Sequence, residues 1–263
     1  MSSFLRWAGS KKKLLIELEG YLPPKFKRYV EPFAGSACLF FSAKPSSALL
    51  ADVNADLILT YQSVQNESKD VAKRLARMPI NEDFYYRLRR RCPTSLSRPA
   101  RAARFIYLNR FCFNGLFRTN KAGEFNVPYG GTSGGQLPSS ADLLAAATLL
   151  ANAKLETWDF EQTLSEVKPG DFVYMDPPYS VGSRRVFRQY SSADFGASQL
   201  GSLKKWMARL DKRGIPFLVS YADSREAREL AIGFHSRVVL TRRNIAGFHS
   251  HRKNARECLI SNY

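Results

Sequence analysis

Short apolar runs alternate with polar, helix-forming stretches along much of this chain. Tyr29-Val30-Glu31, Ala48-Leu49-Leu50-Ala51, Leu155-Glu156-Thr157, Phe172-Val173-Tyr174-Met175 and Phe217-Leu218-Val219-Ser220 each read as a buried strand bounded by turn residues. Helices are expected at residues 11–19, with Ser10 as cap, then from Cys38, and at 69–78, 82–92, 141–151 and 198–211. Val238-Val239-Leu240 and Cys258-Leu259-Ile260 read as a closing hairpin joined by a basic connection, residues 242–256. Strand followed by helix, repeated, predicts an α/β fold. Residues 61–145 interrupt that alternation and form a basic helical insertion.

One strand ends abruptly. Asp171-Phe172-Val173-Tyr174-Met175 runs into Asp176-Pro177-Pro178-Tyr179, and the prolines cannot continue a ladder. Asp176 and Tyr179 are therefore displayed at the carboxyl end of a strand, where open α/β sheets keep their ligand crevices. A carboxylate and a proline-fixed carbonyl can hold both hydrogens of an exocyclic amine, and a tyrosine can stack on the ring that carries it. A tight turn made for packing is the other reading of the same residues.

The remaining strand ends add to the first reading. Tyr29-Val30-Glu31 leads into the small-residue loop Pro32-Phe33-Ala34-Gly35-Ser36-Ala37, which lets a ligand approach the backbone. The next strand ends at Asp52, the expected partner of ribose hydroxyls in a nucleotide-type site. Asp159 and Phe160 follow a further strand, suitably placed to meet an adenine ring. No G-x-G-x-x-G occurs, so the loop lacks the glycine triplet that cradles a pyrophosphate. A phosphate-free nucleoside cofactor suits it better. Near the N-terminus, Trp7 and Lys11 flank a loop that either closes over such a ligand or merely starts a surface helix.

Charge points to the partner. The 263 residues carry 40 Lys and Arg against 23 Asp and Glu, a formal charge of +17. That excess favours a polyanion, nucleic acid ahead of a membrane surface. It concentrates in the insertion, at Arg87, Arg89, Arg90, Arg91, Arg98, Arg101 and Arg104. Aromatic residues interleave with Arg and Asn over residues 107–130, and Asn114-Gly115 and Lys121-Ala122-Gly123 supply turns, the second suggesting a short hairpin. Such a surface reads bases and phosphates. Residues 181–195, rich in arginine, are expected to be a loop that orders on substrate binding.

Other classes recede. The chain has no apolar run of about 18 residues and no signal-peptide core, so a cytosolic protein is expected. Cys38, Cys92, Cys112 and Cys258 are scattered, with no spacing that implies zinc or a disulfide framework.

In this order the pieces resemble the α-group DNA adenine methyltransferases of the Dam family, over essentially the whole chain. The resemblance rests on Arg6-Trp7-Ala8-Gly9-Ser10-Lys11, Glu31-Pro32-Phe33-Ala34-Gly35-Ser36-Ala37, Ala51-Asp52-Val53-Asn54, the segment 109–130, Asp176-Pro177-Pro178-Tyr179 and Glu257-Cys258-Leu259-Ile260-Ser261-Asn262-Tyr263. It implies an α/β, Rossmann-like methyltransferase core dependent on S-adenosyl-L-methionine, with a mostly parallel seven-stranded sheet and a helical target-recognition insertion. Residues 1–60 would form the N-terminal half of that core, 61–145 the insertion and 146–263 the C-terminal, catalytic half. By the same resemblance Trp7, Lys11, Phe33, Asp52, Asp159 and Asp176 line the cofactor pocket. Asp176, Pro177, Pro178 and Tyr179 hold a flipped adenine. Arg6, Asn114, Leu116, Arg118, Asn126 and Pro128 face double-stranded DNA, and no metal takes part. The expected target is GATC or a relaxed context, with exocyclic cytosine-N4 or RNA methylation as the alternative. One departure stands out: Ala37 replaces the second glycine of the family's Phe-x-Gly-x-Gly loop, which bears on the shape of the methionine end of the pocket.

Overall fold

A computed structural model describes residues 3–120, 122–131, 135–179, 195–242 and 254–263. Strands β1 (Arg28–Glu31), β2 (Ala48–Ala51), β3 (Ala153–Glu156), β4 (Asp171–Met175), β5 (Phe217–Ala222), β6 (His235–Arg242) and β7 (Asn254–Ser261) form one seven-stranded sheet. Its order is β3-β2-β1-β4-β5-β7-β6; the first five pair in parallel, while β7 runs antiparallel to both β5 and β6. The chain winds outward from β1 in one direction and resumes at β4 in the other. The gap between the ends of these two neighbours is therefore a topological switch point.

Each central strand is buried on both faces, as a parallel sheet covered by helices requires. Tyr29, Leu50, Phe172 and Tyr174 point to one layer, and Val30, Leu49, Val173 and Met175 to the other. The first layer is covered by α1 (Leu15–Glu19), α2 (Cys38–Ala43), α3 (Ala55–Leu75), α4 (Glu82–Arg90), α5 (Arg98–Phe111) and α6 (Ser140–Leu150). The second is covered by α7 (Phe160–Ser165), α8 (Ala197–Lys212) and α9 (Arg225–Ala231). Burying a side chain such as Phe172 is worth roughly 1.5–3 kcal/mol. An edge of the core is pinned by Arg28, whose guanidinium grips the buried Asp171 carboxylate at 2.6 and 3.2 Å.

Local expectations needed correction in places. Ser10 does not cap a helix: residues 11–14 form a 3-10 turn before α1, and the Ser10 hydroxyl accepts a hydrogen bond from Ser36 instead. The helix expected at 69–78 begins at Ala55, where Asn54 caps it by accepting from the Leu57 amide, and it bends at Glu67. It therefore runs unbroken across position 60. Helices α5, α7 and α9 were not individually foreseen, and the closing strands are longer than their apolar cores because polar residues extend both ladders. The turn after Thr119 closes through a bridge between Thr119 and Phe125, matching the expected short hairpin; Lys121 itself lies outside the described residues. So do the loop expected at 181–195, apart from Phe195, and residues 243–253 of the basic connection. All four cysteines are free thiols. Among the described residues no helix is long and apolar enough to cross a membrane.

Candidate active site

Strand β4 delivers Asp176 to the switch point, and β1 delivers the loop 33–37 beside it. Lys11 reaches the same point from the N-terminal segment. It is 5% exposed, lies 2.5 Å from the Asp176 carboxylate, and donates to the Tyr179 phenol oxygen at 2.7 Å and to the Gly9 carbonyl at 3.3 Å. Its ammonium also sits 5.0 Å from the centre of the Tyr179 ring, a cation–π distance. Ser220 on β5 donates to the same Asp176 oxygen at 3.1 Å. On the far side the Tyr179 hydroxyl faces both oxygens of Glu257, on β7, at 3.0 and 2.8 Å.

Burial governs the charges here. By itself it lowers the Lys11 ammonium, but Asp176, Tyr179 and Glu257 outweigh it and hold the group above the ordinary lysine value. Burial raises the Asp176 carboxyl, while Lys11 opposes the shift by attraction and by its hydrogen bond. The Tyr179 phenol is likewise pushed up by burial. Lysine thus stays charged and tyrosine stays neutral, while the Lys11 ammonium limits how far burial raises the Asp176 carboxyl.

The loop after β1 is shaped by backbone conformation. Gly35 has φ +46°, and a Cβ there would lie 3.0 Å from Cδ1 and Nε1 of the Trp7 indole. Ala37 is held at φ 47°, in the left-handed region a glycine would enter freely, so the backbone the glycine pattern encodes persists without the glycine. Asp52 is bound into this loop: one carboxylate oxygen accepts from the Gly35 amide at 3.0 Å, the other from the Asn54 amide at 2.9 Å. Phe33 stacks on Phe160 and meets Phe195 edge-on. Asp159 stands apart from these contacts. It caps α7, with one oxygen accepting from the Gln162 amide, and it is solvent-exposed.

The insertion is tied to the site through the N-terminal segment. Asn109 on α5 clamps the Arg6 backbone, accepting from its amide at 2.9 Å and donating to its carbonyl. Trp7 stacks on Phe117 and Phe105 at ring separations of 6.0 and 6.4 Å. Asn114 and Gly115 both adopt positive φ, making the turn that Asn-Gly predicts, and Gly115 packs on Arg6. Arg118 donates to the Asn126 side chain at 2.8 Å across the short hairpin. Leu116 is half-buried, while Asn114 and Pro128 are exposed.

The arginine cluster divides. Arg104 is buried and donates to the Leu88 and Arg89 carbonyls at the end of α4, and Arg101 pairs with Asp56. Arg89 donates to the Val127 carbonyl. Arg87, Arg90 and Arg91 present the exposed positive face.

Residue-by-residue reasoning had assigned no role to Glu31, Ser220 or Glu257. Glu31 is buried, accepts from the Tyr29 hydroxyl at 2.9 Å, and is coupled electrostatically to both Asp176 and Asp52. The signal was present: Glu31 and Glu257, like Asp171, are carboxylates set within apolar strand segments.

Residues 7–245 match the family model described as D12 class N6 adenine-specific DNA methyltransferase. The chain is 33% identical to the type II methyltransferase M.MjaIII of Methanocaldococcus jannaschii, covering 99% of this chain and 98% of that protein. It is 33% identical to the DNA adenine methylase of Escherichia coli strain K12, covering 98% and 94%. With the retron Ec67 DNA adenine methylase of Escherichia coli it shares 31% identity, over 98% and 90%. With its seven-stranded sheet, its strand-end carboxylates and a match across most of its length, this chain belongs to the D12 class of N6 adenine-specific DNA methyltransferases.

Proposed function

We propose that this enzyme methylates the N6 amine of an adenine turned out of double-stranded DNA, with S-adenosyl-L-methionine as the donor. The observation that carries the reading is the convergence of Lys11, Asp176 and Tyr179 at the switch point, beside the loop that holds Asp52. The residues suit the cofactor. Gly35, lacking a Cβ, lets the Trp7 indole lie directly against the loop backbone at the edge of the proposed pocket. The fixed Asp52 carboxylate offers acceptors to ribose hydroxyls, and Trp7, Lys11, Phe33, Asp159 and Asp176 complete the proposed lining. When bound, the cofactor supplies a methyl group on a sulfonium sulfur.

The chain's own groups handle the amine. The lone pair of an aromatic amine is delocalised into its ring. Asp176 and the Pro177 carbonyl accept its two hydrogens, which favours a tetrahedral nitrogen, and Pro177 and Pro178 keep both acceptors still. Tyr179 stacks on the base, repaying part of the few kcal/mol that unstacking costs. Holding the amine at attack distance removes much of the entropic barrier. The lost proton departs to water.

Recognition falls to residues 61–145, which α3 enters from the core without a break. Arg118 suits a guanine edge and Leu116 a thymine methyl, consistent with GATC, while Arg6, Asn114, Asn126 and Pro128 line the same surface. A relaxed context is the second reading, favoured by the charge of +17 and hence by phosphate contacts. A DNA substrate implies action in the cytoplasm. Asp176→Ala should abolish tritium transfer to DNA while gel-shift affinity is kept; continued transfer by that variant would refute the assignment. Methylation-sensitive sequencing of treated plasmid separates GATC from relaxed modification, and modified cytosine or RNA alone would favour the alternatives.

A further inference from the structure

Tyr179 is held at both ends of its hydroxyl. Lys11 donates to the phenol oxygen at 2.7 Å, and the phenol hydrogen faces the Glu257 carboxylate at 2.8 and 3.0 Å. Glu257 is 2% exposed on β7, where it is fixed by register between Ala222 of β5 and Val239 of β6. Tyr221 of β5 closes the remaining side, edge-on to the Tyr179 ring at 5.1 Å. A buried carboxylate costs stability unless it is bonded or paired, and the Lys11 ammonium lies 4.0 Å from this one. Both oxygens of that carboxylate lie within hydrogen-bonding distance of the tyrosine hydroxyl.

We infer that Glu257 is a positioning residue for the transfer reaction, setting the plane of the Tyr179 ring through the phenol hydroxyl while Lys11 joins that hydroxyl to Asp176. The inference rests on the reading of Tyr179 as the base-stacking residue. It assigns the antiparallel β6–β7 hairpin a part in the reaction: the hairpin carries the fixed end of a Lys11–Tyr179–Glu257 relay into the sheet. The base is then held flat at the distance the amine needs, and the effect falls on turnover rather than on cofactor affinity.

The test is a cycle of Glu257→Gln, Tyr179→Phe and the double variant, each assayed for steady-state methyl transfer to duplex DNA. Glu257→Gln should lower kcat roughly tenfold with KM for the cofactor changed by no more than about twofold. In the Tyr179→Phe background the same substitution should cost almost nothing, since the hydroxyl through which it acts is gone. Equal losses in both backgrounds overturn the assignment. A readout independent of activity accompanies it: the ring-carbon NMR signal of Tyr179, assigned by its loss in Tyr179→Phe, should move in Glu257→Gln. An unmoved signal also overturns the proposal. Failure of the unaltered protein to methylate adenine would refute the reading of the Asp176 site instead, and the tyrosine signal tells the two failures apart.

Discussion

Lys11 and Asp176, separated by 165 positions in sequence, meet at 2.5 Å in the centre of the switch point. Asp176 is 22% exposed, so the carboxylate keeps a face open to a ligand while its other side is bound to the cation. The pair links the N-terminal segment, itself clamped by Asn109 of the insertion, to the strand end that presents the Asp-Pro-Pro-Tyr turn.

Lys11→Met removes the attraction that opposes the burial shift of Asp176, so the carboxyl should protonate at higher pH. Methyl transfer should fall, and the acidic limb of its pH–rate profile should move upward. A lower rate with an unshifted limb would show that Lys11 acts only by packing.

Glu31 makes stability depend on pH. Burial holds its carboxyl well above the ordinary 4.5, so the folded state keeps a proton that the unfolded chain releases. The associated stability is complete below that ordinary value and is lost as pH rises toward the folded one. Glu31→Gln, which cannot ionise, should therefore raise the melting temperature more at about pH 8 than at about pH 5. Equal changes at the two pH values would contradict an upward shift of the buried Glu31 carboxyl.

Gly35→Ala places a methyl group 3.0 Å from the Trp7 indole at a backbone angle of +46°. The left-handed conformation alone costs about 1–2 kcal/mol for an alanine. Thermal unfolding should show at least that loss, and isothermal titration should show weaker binding of S-adenosylmethionine. Adding Trp7→Ala should restore the part due to the clash but not the part due to φ.

Arg118 and Asn126 hold each other at 2.8 Å across the short hairpin. Arg118→Ala should relax sequence choice while leaving the methylation rate on a GATC duplex within an order of magnitude, as scored by sequencing of modified plasmid. Asn126→Ala should loosen choice in the same direction by freeing the guanidinium. Unchanged choice in both variants would remove this pair from base reading.

How much of this could be read from the residues differs from place to place. The central strands were legible because parallel strands buried on both faces are continuous apolar runs, and the prolines after Asp176 mark the strand end with certainty. Asn114-Gly115 announced its turn for the same local reason. Ser10 was misread because a serine ahead of a helical stretch caps only when its hydroxyl is not claimed elsewhere, and Ser36 claims it here. The start of α3 was missed although Asn54, directly before it, is a capping residue that follows the end of β2.

The sequence by itself determined the strands, the carboxylates at their ends, the basic insertion and, through the order of its motifs, the kind of chemistry. The first three depend on neighbours a few residues apart or on composition, and the chemistry on the resemblance carried by the order of the motifs. Only the tertiary structure decided that β4 lies beside β1, that Lys11 belongs to Asp176 and Tyr179, that Arg104 supports a helix end rather than facing outward, and that Glu257 closes the site from β7. Those pairings join residues far apart in the chain, and their partners are chosen by burial, which forces each charged group to find its counterpart wherever the fold brings one.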